Sequence, residues 1–303
     1  MGAQIFRKRR SVAKGTKHQI RHAIALGSKF SIRIVVLTSF ATLAASLLAR
    51  ADPADSSAAV DLELVLAADV SGSMTKNELR IQRDGYVNAL RNVEVINAIL
   101  SGTRGRIAIA YFEWASPDYQ QLIMPWTVID GPDSARSFAD TLEGHEIGTS
   151  FFGGLAGGGT SISGALFFSS RLLQESGLQS DRQVIDVSGD GPNNSGPPIA
   201  PVRDEVIARG ATINGLAISL SKRGAIDTTN PFEEQTLGWY YEGCVIGGPG
   251  AFVITVGDRA DFERAIRRKL VLEIAGAPLQ IQLAAESVLF RPNCLAIGQF
   301  PGR

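Results

Sequence analysis

An apolar run with almost no polar face sets the first constraint on this chain. Leu62, Leu64 and Leu66 alternate with Glu63, Val65 and Ala67, and the run stops at Asp69. A segment apolar on both parities reads as a strand buried largely on both faces, as the strands of parallel sheets are. Thr75-Lys76-Asn77-Glu78 then has the form of a capping box that opens a helix. Leu79, Tyr86, Leu90, Val93, Ile96 and Leu100 recur at roughly helical spacing. The opening unit is therefore strand, short loop, long helix. Further β-α units are needed to cover both faces of such a strand.

The rest of the chain supplies them. Strands are predicted over residues 106–113 and 121–129, separated by a turn around Pro117. Two strands this close suggest a hairpin, and so one antiparallel edge strand. A short helix near 133–143, a glycine-rich loop over 144–159 and a helix over 161–175 follow. A strand over 183–188 leads to Asp190, a helix spans 198–209 and a strand spans 211–218. A helix around 231–241, a strand over 252–256 and a final helix capped by Asp258 and running to about Leu272 complete the pattern. The expected fold is three-layer, Rossmann-like α/β: a mostly parallel sheet, one antiparallel edge strand, helices on both faces.

The first 51 residues follow a different logic. They carry ten basic residues and no acidic one, and an apolar run of about 16 residues ends in Ala49-Arg50-Ala51. Basic region, apolar run and small-x-small site in that order describe a secretory signal peptide over 1–51. The run is short for a membrane span of roughly 20 residues. An uncleaved anchor in the inner membrane stays open as the alternative, and only then would a membrane be a partner. The implied destination is periplasmic or secreted. A small-residue linker over 52–59, a main domain over 60–272 and a C-terminal tail over 273–303 make up the remainder.

The signal also distorts the charge. The whole chain has 30 basic and 30 acidic residues, but ten of the basic ones lie in 1–51, which leaves 20 against 30. A body of that sign is not built to hold nucleic acid phosphate. Cys244 and Cys294 are the two cysteines, and they could pair in an oxidising compartment or stay free and buried. Two cysteines and three histidines, two of those in 1–51, do not make a structural zinc site.

The candidate chemistry lies at strand ends. The first strand delivers Asp69-Val70-Ser71-Gly72-Ser73, a later helix begins after Gly158-Gly159-Thr160-Ser161, and the fourth strand delivers Ser188-Gly189-Asp190-Gly191. All three fall at the carboxyl edge of one sheet, where open α/β sheets place ligands. Carboxylate and hydroxyl oxygens suit a hard divalent cation: Mg²⁺ first, with Mn²⁺ or Ca²⁺ as alternatives. Ser71 and Ser73 are two apart in a tight turn, so both hydroxyls can face one point while Gly72 relieves the backbone. Asp69, Ser71, Ser73, Thr160 and Asp190 are too few ligands for a closed cage, which implies an open position.

Asp-x-Ser-x-Ser after the first strand, Thr160 in Gly-Gly-Thr-Ser and Asp190 at the fourth strand together resemble the metal-ion-dependent adhesion site of von Willebrand factor A-like domains. The resemblance covers about 61–272. It implies that Asp69, Ser71, Ser73, Thr160 and Asp190 hold the metal directly or through water, and that a partner protein supplies a carboxylate. Tyr111-Phe112-Glu113-Trp114, the stretch from Val184 to Asn194 and Cys244-Val245-Ile246-Gly247-Gly248-Pro249-Gly250 resemble a bacterial branch, DUF1194, whose function is unknown.

Other chemistries fit less well. No Lys follows the glycines of 153–159, so a phosphate-binding P-loop is not expected. A serine hydrolase triad lacks its histidine, since His145 alone remains outside 1–51 and reads as a surface loop residue. Asp186, inside an apolar strand, either supports the site from behind or faces a polar neighbour. Trp114, Trp126 and Trp239 read as core or edge packing. The expected function is an exported, cation-dependent binding module that captures a partner's acidic residue, and not an enzyme. The alternative is a Mg²⁺-dependent hydrolase using the same site. It would need a base or nucleophile, and Ser161 and Glu113 are the candidates, neither with a visible activator.

Overall fold

β1 (Ala59–Asp69) lies inside the sheet, paired in parallel with β2 (Ile107–Trp114) on one side and with β4 (Gln179–Gly189) on the other. The computed structural model of the chain describes residues 59–147, 159–220, 234–276 and Cys294. The expected signal, nearly all of the linker, most of the glycine-rich loop and nearly all of the tail lie outside them. Among the described residues, six strands form one sheet in the order β3-β2-β1-β4-β5-β6. β3 (Gln120–Ile129) is the antiparallel edge strand, and β5 (Thr212–Ile218) and β6 (Val253–Val256) are parallel. Pro125 sits in β3, where the register against β2 shifts, and an edge strand tolerates its missing donor.

The two parities of β1 feed two cores. Leu62, Leu64 and Leu66 pack with Leu79, Tyr86, Leu90, Phe138, Phe262 and Ile266. That layer contains α1 (Lys76–Arg91), α2 (Val93–Leu100), α3 (Pro132–Gly144) and α7 (Phe262–Ala275). Val65 and Ala67 pack with Phe112, Trp114, Ile162, Ile185 and Tyr241. This second layer contains α4 (Ile162–Gln174), α5 (Ile199–Ala208) and α6 (Glu234–Tyr240), which runs into a π turn at Tyr241–Val245. Each fully buried leucine of β1 contributes about 1.5–3 kcal/mol through burial.

Several details differ from expectation. The single long helix after β1 is two helices. Asn92 has extended backbone (φ −80°, ψ 136°) and its side chain accepts from the Glu94 N–H, so it ends α1 and caps α2. The capping box is as expected: Glu78 N–H donates to Thr75 Oγ1 at 3.3 Å and Thr75 N–H to Glu78 Oε2 at 2.7 Å. β4 begins at Gln179, earlier than its apolar run, because β1 extends back to Ala59 and pairs with it. Asp258 caps a short 3₁₀ turn (Arg259–Asp261), and α7 continues past Leu272 to Ala275. Trp114 is fully buried, Trp126 donates its Nε1–H to Leu172 O at 3.1 Å, and Trp239 is half-exposed. Cys244 and Cys294, left open above, are joined in a disulfide.

Candidate metal centre

β1 and β4 are neighbours, yet the chain runs from β1 toward β2 on one side and reaches β4 only after crossing back. That reversal opens a crevice at the carboxyl ends of the two strands. Asp69 is the last residue of β1, and Asp190 follows the last residue of β4. The third segment comes from the start of α4. Ser161 N–H donates to Ala115 O at 2.8 Å, which ties Thr160-Ser161 to the end of β2.

The structure brings all five expected residues together. Asp69 Oδ1 accepts from the Ser71 N–H at 2.7 Å, an Asx-type contact that curls the loop after β1. Ser71 Oγ and Ser73 Oγ are 3.0 Å apart, and Ser73 Oγ donates to Asp190 Oδ1 at 2.6 Å. Thr160 Oγ1 lies 3.4 Å from Ser71 Oγ. Asp69, Ser71 and Thr160 are buried, Asp190 is half-buried and Ser73 is exposed, so the cluster has a closed floor and an open mouth. Gly72 is not needed for the turn: its φ is not positive, and a Cβ there would meet nothing within 4 Å. The curl comes from Asp69 and not from the glycine.

The electrostatics are unbalanced. Burial, and then the charge of nearby Asp190, push the Asp69 carboxyl up to about 8. Burial also raises Asp190, although the Ser73 hydroxyl opposes the rise. Asp69 Oδ2 is buried and has no hydrogen-bond partner. An orphaned buried carboxylate oxygen costs free energy unless something completes it. Two carboxylates and three hydroxyls around one orphaned oxygen fit a hard divalent cation.

A supporting frame went unread in the sequence. Gln82 Nε2 donates to Asp69 O at 3.0 Å, while its Oε1 accepts from Ser188 Oγ at 3.1 Å, so α1 clamps the ends of β1 and β4. Asn194 Oδ1 accepts from Thr160 N–H at 2.7 Å, and Asn193 Oδ1 accepts from Ser163 N–H at 2.9 Å. Asn193 N–H donates to Tyr240 Oη at 3.1 Å. Gly189 lets Tyr241 close on the site, since a Cβ there would come 2.6 Å from Tyr241 Oη and 2.9 Å from Asp69 Oδ2. Tyr241 Oη, like Asp69 Oδ2, is buried without a partner. The Asn-Asn pair after Gly-Pro was visible as turn chemistry. Gln82 and Tyr241 carried no signal beyond a polar group on a helix face.

The two groups considered for hydrolysis are otherwise engaged. Glu113 pairs with Arg83, whose guanidinium also donates to Leu142 O at 2.9 Å and His145 O at 3.0 Å. Ser161 caps α4, accepting from Gly164 N–H at 3.1 Å. His145 is exposed at the end of α3, as expected of a surface residue. Asp186 is fully buried and faces Lys269 and Tyr86, on the opposite side of the sheet from Tyr241.

The sheet order, the antiparallel edge and the helices on both faces are those of the von Willebrand factor A-type fold. The pilus adhesin SpaC from Lactobacillus rhamnosus GG superimposes with a TM-score of 0.50 at 13% identity, over 71% of this chain and 31% of that one. Proximal thread matrix protein 1 from the mussel byssus, in a form with a zinc-occupied MIDAS motif, gives 0.47 at 13% identity, over 71% and 48%. BatB, a conserved hypothetical protein from Bacteroides thetaiotaomicron, gives 0.45 at 16% identity, over 71% and 98%. The chain spans about half of the mussel protein and under a third of SpaC, and at these identities the likeness is one of fold. No curated protein matches the chain significantly. The family described as protein of unknown function (DUF1194) matches residues 59–278, most of the chain, and this protein belongs to that family.

Proposed function

We propose that Asp69, Ser71, Ser73, Thr160 and Asp190 hold one divalent cation, Mg²⁺ first with Mn²⁺ or Ca²⁺ as alternatives, and that the protein is a binding module and not an enzyme. The observation that carries this reading is the orphaned Asp69 Oδ2 at the floor of a hydroxyl-lined crevice that opens at Ser73. When bound, the cation supplies a Lewis-acidic position for an outside carboxylate. The chain's own part is to fix the oxygens. Asp69 is held by the Ser71 N–H and, through its backbone, by Gln82. Thr160 is held by Asn194, and Asp190 by Ser73.

The partner is a protein that presents an acidic side chain to the mouth. No nucleic acid is involved, given the acidic balance beyond residue 51. Residues 1–51 act as an export signal, 52–59 as a linker and the rest as the binding body in a periplasmic or secreted setting. Among the described residues, no helix is long and apolar enough to cross a membrane.

Calorimetric titration of the purified protein with Mg²⁺, Mn²⁺ and Ca²⁺ tests the cation site. Wild type is expected to bind one equivalent, and Asp69→Ala none, with its far-UV circular dichroism retained. Affinity capture with and without chelator tests the partner. Capture of the same proteins by Asp69→Ala in chelator would sink the binding reading.

A further inference from the structure

A second cluster lies on the α7 side of the sheet, separate from the cation site. Lys269, Asp186 and Glu273 are 0 %, 0 % and 2 % exposed. Lys269 Nζ lies 2.7 Å from Asp186 Oδ1 and also pairs with Glu273 Oε1. Tyr86 Oη donates to Asp186 Oδ2 at 3.4 Å, and Asn214 Nδ2 donates to Glu273 Oε1 at 3.0 Å. The Phe252 ring centre is 5.5 Å from Nζ. An amine, a carboxyl group and a second carboxyl group are thus held together with water excluded.

Three features go beyond an ordinary ion pair. Two carboxylates share one ammonium, so the fully ionised cluster keeps a buried negative charge, which is costly. Lys269 Nζ is 2.7 Å from Asp186 Oδ1 with both groups closed off from solvent, so the amine and the carboxyl group are held in contact. Glu273 Oε2 has no partner and is free to carry a proton. Burial and the charge of Asp186 push Glu273 up to about 7, which suits proton transfer near neutrality.

We propose that Lys269 and Asp186 condense to an intramolecular amide, with Glu273 as the proton carrier, so that α7 is tied covalently to β4. The Lys269 ammonium passes one proton through Glu273 to the Asp186 carboxylate. The neutral Nζ then attacks Cγ and the C–N bond forms. A second proton leaves nitrogen through Glu273 for the departing oxygen, the C–O bond breaks and one water is released. Ammonium and carboxylate become amide and water, with no change of oxidation state and no cofactor. Tyr86 Oη, beside Oδ2, stabilises the charge that develops on that oxygen. In bulk water the reverse reaction is favoured. Here the reactants are held in contact without solvent, and condensation removes two buried ions.

The intact mass of the purified full chain, denatured and reduced, tests this directly. With its termini mapped, wild type is expected to be lighter by one water. Trypsin should then yield a branched peptide joining residues 183–203 to the peptide that begins at Lys269, with Lys269 itself uncleaved. Lys269→Arg should have full mass. Glu273→Gln should fold and stay largely uncondensed. Full mass in wild type, with Asp186 and Lys269 in separate linear peptides, overturns the proposal. So does loss of water without the branched peptide, as in an aspartate succinimide. A Glu273→Gln chain that condenses as fully as wild type overturns the role given to Glu273.

Discussion

Asp186 and Asp190 stand four residues apart, one inside β4 and one just beyond it, and each faces a second carboxylate. Asp186 meets Glu273, and Asp190 meets Asp69. At the first pair the chain supplies a cation of its own, Lys269, and the cluster is sealed. At the second, among the described residues, no Lys or Arg forms an ion pair with Asp69 or Asp190. Three hydroxyls gather there instead, and the mouth is exposed at Ser73. Two like charges near a protein interior need a counter-charge, and it can be built in or taken from outside. A built-in lysine makes a fixed tie between helix and sheet. A set of neutral oxygens with one orphaned carboxylate atom is what we propose to receive an ion.

Removing the built-in cation is the severest way to break this contrast. Lys269→Met leaves Asp186 and Glu273 buried together without a counter-charge and without the proposed amide tie, and at least about 3–5 kcal/mol of stability should be lost. Asp69→Asn removes a charge from a pair that has no cation of its own, so in chelator it should cost little or even stabilise. Urea unfolding of both variants in chelator checks the pair. Equal losses would show that the two acidic pairs do not differ in kind.

Adding the outside cation is the next test. Wild type should gain about 2.7 kcal/mol at a cation concentration one hundred times the Kd. Asp69→Asn and Asp190→Asn should lose that gain, whereas Lys269→Met should keep it while staying less stable throughout. Thermal unfolding titrated with Mg²⁺, Mn²⁺ and Ca²⁺ reads both effects at once.

The pH dependence sharpens the sealed side. Glu273 is raised in the fold to about 7 from an ordinary 4.5. Between those values the folded chain binds more protons than the unfolded one, so this contribution to stability is present below that window and is lost as pH rises through it. The slope reaches at most about 1.4 kcal/mol per pH unit for one group. Glu273→Gln should flatten the fall, measured by urea midpoints from acid to neutral pH. Asp186, also raised, retains part of it.

How much of this was legible in the sequence follows the same division. That Asp69, Ser71, Ser73, Thr160 and Asp190 would meet at one sheet edge was readable because each follows a strand end or opens a helix, where periodicity fixes position. The antiparallel edge was readable from the short link between β2 and β3. Partners distant in sequence were not. Lys269 reaches Asp186 across 83 residues, and Arg83 reaches Glu113 across 30, so neither acid could be told from a free carboxylate. The break at Asn92 was hidden because Val93, Ile96 and Leu100 continue the spacing of α1 in the sequence, whereas α2, turned by the cap, buries Val95 and Ile99 and leaves Val93 and Leu100 exposed. The role given to Gly72 was wrong because residue type suggested a strained turn that the backbone does not make.

The smallest expected effect concerns the frame of the open site. Asn194 Oδ1 accepts the Thr160 N–H at 2.7 Å, and the Asn194 N–H donates back to Thr160 O at 3.0 Å. Asn194→Ala removes the side-chain half of this exchange and leaves one N–H without its acceptor, at a cost of about 1 kcal/mol. Through Thr160 it should also loosen one cation ligand, because that hydroxyl is aimed by its own backbone. The deficit against wild type should therefore be larger with saturating wild-type levels of cation than in chelator. The pH profile set by Glu273, on the other face of the sheet, should not move. Calorimetric cation titration of the variant, set beside its unfolding midpoint, separates the two roles. Undiminished affinity in a destabilised variant would mean that Ser161, tied to Ala115 O, is enough to place Thr160.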